Sequence, residues 1–179
     1  MKLEEVSGDV AGMVPHYSET GDTCVVICRN EKNENTYSFF EPRSVETVKR
    51  HLARCYALDL GAQSLELRRD YQRSAPLPFY LYDGRIFVPF KLRMPRVAGD
   101  PSYGYIELGL ISRILPDKNS QCRIICTDGS SLPVFSQINT ARLALCFGVE
   151  IQKNTNHHLP DHTRELRQAF RTLRRYLID

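Results

Sequence analysis

Tryptophan is absent from the 179-residue chain, and so is any apolar run long enough to cross a bilayer. The opening MKLEEVSGDVAG carries acids where a secretory leader needs a basic segment followed by an apolar stretch. The missing leader pattern and the missing membrane-length run predict a cytoplasmic protein with no membrane association. Catalytic signatures are missing as well. There is no G-x-S-x-G elbow, no phosphate-binding loop, no dinucleotide fingerprint and no pair of carboxylates in an apolar setting. The residues therefore favour binding over catalysis, and no cofactor is implied.

Cysteine is present, at positions 24, 28, 55, 122, 126 and 146, mostly inside apolar runs where a reducing compartment keeps thiols free. The two C-x-x-x-C pairs invite a zinc reading. On strands, however, sulfurs four residues apart lie about 13 Å from each other, too far for one tetrahedral ion to bridge. His157, His158 and His162 fall in the polar connector NTNHHLPDH without ligand spacing, so no metal site is expected.

Charge is present too, and it is segregated. Residues 1–42 hold 3 basic and 8 acidic side chains, whereas residues 43–96 hold 11 basic and 5 acidic. A flexible acidic N-terminal arm is expected over 1–22, a β-rich core over 23–152, and a linker with a basic amphipathic helix over 153–179. TCVVICRN and TYSFFE flank a polar turn and read as a hairpin. Ser44 caps SVETVKRHLARCYALD, whose Val45, Val48, Leu52 and Cys55 recur at helical spacing, and Gly61 offers a stop. SLELRRDYQR alternates in strand fashion. FYLYDGRIFVPF and QCRIICTDGSSLPVF read as strand pairs around Asp83-Gly84 and Asp128-Gly129. SQINTARLALCFG reads as a short helix stopped at Gly148, and Asp161 caps the arginine-rich closing helix. The fold class expected is α+β, mostly antiparallel sheet with two to three helices, the last of them basic.

The stretch GRIFVPFKLRMPR, from Gly84 to Arg96, concentrates the chemistry. On a strand Arg85, Lys91 and Arg93 share one face and Ile86, Val88, Phe90 and Leu92 the other, giving one cationic side and one packed side. Beyond Phe90 follows a proline-stiffened basic loop, and long ordered loops tend to carry function. Arg93 and Arg96 in that loop are the candidates for groove contacts with double-stranded DNA. Lys91, Arg68 and Arg69 would position the phosphate backbone, with Arg85 adding charge and Tyr103 stacking or hydrogen-bonding beside them.

In block order (SVETVKRHLARCYALD, PLPFYLYDGRIFVPF, SYGYIELGLISRI, a D-G hairpin and a closing basic helix) the chain from Thr23 onward resembles the ComK-type competence transcription factors of Gram-positive bacteria. Over Tyr105 to Glu150 the apolar strand, T-D-G turn and helix also resemble LytTR-type DNA-binding domains. Both resemblances imply a sequence-specific DNA-binding transcriptional regulator. A second copy on repeated half-sites, or a regulatory protein partner, is compatible with such a surface. The rival reading is a protein-interaction module that binds no nucleic acid.

Overall fold

A computed structural model describes residues 3, 5–19, 21–30, 35–118 and 121–157. Nine strands and three helices form among them, in an α+β arrangement dominated by sheet. Six strands, β1 (Val10–Ser18), β2 (Gly21–Arg29), β3 (Thr36–Glu41), β4 (Phe79–Tyr80), β5 (Ile86–Lys91) and β6 (Tyr103–Glu107), make one antiparallel sheet in the order β3-β2-β1-β6-β5-β4. A second antiparallel sheet, β7-β8-β9, is built from Ile111–Pro116, Cys122–Cys126 and Ser131–Val134.

Helix α1 (Val45–Cys55) starts where Ser44 Oγ accepts from the Thr47 amide. Its Val45, Val48 and Leu52 cover one face of the large sheet, meeting Met13 of β1, Cys24, Val26 and Cys28 of β2, Phe87 of β5 and Tyr105 of β6. On the opposite face, Ile27, Ile86, Val88, Phe90 and Ile106 pack against Ile114 and Ile124 of the small sheet. Ala141, Phe147 and Ile151 of α3 (Ile138–His157) and Leu67 of α2 (Leu60–Tyr71) complete that second core. The large sheet is thus the middle layer of the molecule. No helix among the described residues is long and apolar enough to cross a membrane.

Four expectations change. The N-terminal arm expected over 1–22 is integral where it is described, because Val10–Ser18 is a central strand with Val10, Ala11 and Met13 buried. SLELRRDYQR is helical rather than extended. Asp59 Oδ1 caps it by accepting from the amides of Gly61 (2.8 Å) and Ala62 (3.0 Å), so Gly61 opens a helix instead of stopping one. Helix α1 ends earlier, at the Tyr56 cap, followed by Ala57 with φ at 49°. Finally, α3 continues through Gly148 and takes in residues 153–157, the start of the expected linker. Its glycine serves close packing, since a Cβ there would lie 2.5 Å from Val88 Cγ2. The expected helix from Asp161, with His158 and His162, lies outside the described residues.

Candidate nucleic-acid interface

Within Gly84–Arg96, strand β5 is buried on both sides, with Phe87 entering one core and Ile86, Val88 and Phe90 the other. A one-face-basic strand is therefore not formed. Arg85 precedes the strand and Arg93 follows it, eight residues on, which separates them by about 26 Å at strand rise. Each is absorbed by the fold. Arg85 Nη1 donates to the carbonyls of Gly8 and Val10 (both 2.9 Å), its Nε donates to Asp83 (2.8 Å), and its Nη2 reaches the Tyr56 hydroxyl. Arg93 is 6% exposed; its Nη1 pairs with Asp22 at 2.8 Å and donates to the His16 carbonyl. The Arg93 guanidinium also lies 3.7 Å from the centre of the Tyr17 ring. Neither arginine can reach a phosphate without giving up these contacts, so their expected DNA-facing placement is corrected.

Arg96 stays exposed on the loop that follows, its guanidinium 4.0 Å from the same Tyr17 ring. The loop is pinned by Asp100, whose carboxylate accepts from the amides of Arg96 (2.9 Å) and Val97 (3.1 Å) and from the Tyr17 hydroxyl. Those hydrogen bonds, the tyrosine's first, hold the Asp100 carboxyl below its ordinary range. Met94 and Val97 project from this loop into solvent.

Lys91, at the end of β5, sits directly across from Tyr103 on β6, and Tyr103 is half-exposed. Together with Arg73 they line a cavity of about 250 Å³ between the 76–78 segment and α3. Arg73 follows α2, which ends at Gln72 in a left-handed conformation (φ 53°), and its guanidinium lies 4.5 Å over the Phe147 ring. On the other side of Pro76, Leu77 and Pro78, Arg68 joins Lys49, Gln63 and Glu46 around a depression of about 460 Å³. Lys49 donates to the Tyr105 hydroxyl (3.0 Å), and Gln63 bonds both ways to the Tyr80 backbone (3.0 Å each), fastening α2 to β4. Arg69 points outward, with its Nε donating to Asp70 at 2.7 Å.

Of the residues expected from sequence, the structure thus gathers Lys91, Tyr103 and Arg68 around the proline segment. Arg96 is placed on the adjoining loop, Arg69 on the outer face of α2, and Arg85 and Arg93 in the interior. Arg73 and Lys49 were missed. Arg73 carried no sequence signal, because the left-handed Gln72 that ends α2, rather than helical spacing, sets where it lies. The cysteine pairs fall in separate apolar clusters, Cys24 and Cys28 under α1, Cys122 and Cys126 on the inner face of the small sheet. No known family model matches this chain, and no curated protein or solved structure is significantly similar to it.

Proposed function

We propose that the chain is a sequence-specific DNA-binding regulator of transcription that meets the phosphate backbone of duplex DNA through Arg68, Arg73 and Lys91, with Arg96 entering a groove. One observation carries the reading. Among the described residues these four cations enter no ion pair, whereas Arg43, Arg85, Arg93 and Arg123 are each tied to a carboxylate. Cations that no carboxylate neutralises among the described residues, set beside a half-exposed tyrosine, fit a polyanion. Arg96, with exposed Met94 and Val97 on the same loop, has the composition of a minor-groove element, a cation flanked by apolar wedges. The block-order resemblance to competence regulators points the same way.

The test is duplex retention as a function of salt. Affinity of the wild-type chain should fall with log salt at a slope of about −0.9 per phosphate neutralised. Combining Arg68→Gln, Arg73→Gln and Lys91→Gln should flatten that slope by about 2 to 3 and weaken all duplexes alike. Arg96→Ala should instead erode discrimination between sequences. Retention indifferent to salt, or a triple variant with an unchanged slope, rejects the proposal.

A further inference from the structure

We infer that the cavity between the 76–78 segment and α3 binds a small amphipathic carboxylate, with Arg73 and Lys91 holding the anionic head. The floor is preformed by the core: Leu77, Phe90, Ala141 and Phe147 line it and are 7%, 2%, 1% and 4% exposed. Leu143 extends the apolar wall to the rim, where it is 58% exposed. At about 250 Å³ the space lies just under the range of about 300–1,000 Å³ typical of small-molecule sites, which suits a ligand of fragment size.

Charge selects the head group. Among the described residues Arg73 and Lys91 are the only charged side chains in the lining, and no carboxylate accompanies them. Two cations lining one apolar space with no carboxylate to offset them give it a positive potential that favours an anionic occupant. The neighbouring depression differs, because there Glu46 lies 4.0 Å from Lys49 and already matches its charge. Arg73 is also partly preorganised by its stacking over Phe147, which lowers the entropy lost on binding. Ser136 and Thr140 are in the same lining, and a hydroxyl is able to donate to a carboxylate oxygen. A cationic amphiphile is repelled from this site, and a neutral one leaves both cations unmatched.

The binding step is independent of nucleic acid. One consequence rests on the DNA reading: Arg73 and Lys91 would serve both partners, so an occupant of the cavity should compete with phosphate.

The experiment is calorimetric titration of the full chain with sodium octanoate, octanol and octylammonium, each below its aggregation limit. Octanoate should bind saturably, one per chain, at least tenfold more tightly than octanol, and octylammonium should not bind. Arg73→Gln with Lys91→Gln should bring octanoate down to the affinity of octanol. Ala144→Phe, or Leu143→Phe at the rim should the first variant misfold, should abolish both. Thermal unfolding of each variant confirms that the fold is kept. No saturable octanoate binding, octanoate binding no tighter than octylammonium, or a double variant that keeps its preference for the carboxylate overturns the inference. Octanoate that binds as expected to a chain that retains no duplex leaves the cavity standing and removes only the DNA reading. Octanoate that binds without releasing a retained duplex overturns the competition.

Discussion

Arg85 joins three pieces of chain that are remote in sequence: the 7–10 segment through backbone carbonyls, Tyr56 after α1, and Asp83 in its own turn. Removing a guanidinium so enclosed takes one hydrogen-bond or ion-pair partner from each of these groups at once. Arg85→Met should therefore cost about 2–4 kcal/mol. Lys91→Gln, at a partly exposed position with no ion pair among the described residues, should stay within about 0.5 kcal/mol. Urea midpoints compare the two directly, and equal costs would contradict the division between structural and available cations. That division was not legible in the sequence. Alternation along 85–93 says which residues share a face, but it cannot say that both faces are covered, nor that Asp22 waits for Arg93 from 71 positions away.

Helices and strands were legible where local chemistry decides them. Both D-G turns are found, with Gly84 at φ 87° and Gly129 at φ 83°, and the Ser44 cap opens α1 as its sequence predicts. Elements decided by packing were not. Strand β1 contains Gly12, Pro15 and His16, poor strand formers, yet it is central. Gly12 permits this: a Cβ there would already touch Ile106 Cδ1 at 3.1 Å and Ile27 Cδ1 at 3.2 Å, so the residue suits a tight sheet layer. Helix α2 misleads because Leu65 is 69% exposed, which turns a helical stripe into apparent alternation with Leu67. Gly148 reads as a helix end although its role is contact between α3 and β5. Gly148→Ala should force Val88 or the helix to shift and cost about 1–3 kcal/mol, where alanine in an unpacked helix would stabilise. A thermal midpoint equal to or above the wild type would refute the contact.

At the scale of the whole molecule, the described residues place an apolar core on each side of the large sheet, and the thiols report on both. Cys24 and Cys28 lie in one and Cys122 and Cys126 in the other, while Cys55 and Cys146 are exposed. An aromatic disulfide reagent at pH 8 should label Cys55 and Cys146 alone, the other four reacting only on unfolding. Burial pushes the Cys24 thiol up to about 12 and the Cys28 thiol up to about 11. An unfolded cysteine ionises near 8.5, so the stability linked to these protonated thiols is complete below about pH 8.5. It is then lost as pH rises toward their folded values. Alkaline unfolding should accordingly be less steep in Cys24→Ala, after allowing for the cavity that variant creates. An unchanged pH dependence would place the alkaline sensitivity elsewhere.

Strand β1 also acts as the seam of the large sheet. It is bonded on one side to β2 and on the other to β6, and the pair Met13 and Tyr105 bridges 92 positions of chain. Without it, β3-β2 and β6-β5-β4 are two unconnected ribbons, each with a raw edge open to other chains. Trimming the N-terminus to residue 23 to obtain a minimal domain would thus yield an aggregating fragment rather than a smaller protein. During synthesis the large sheet cannot close until the chain has been extended past Glu107, which makes folding late and dependent on a distant pairing.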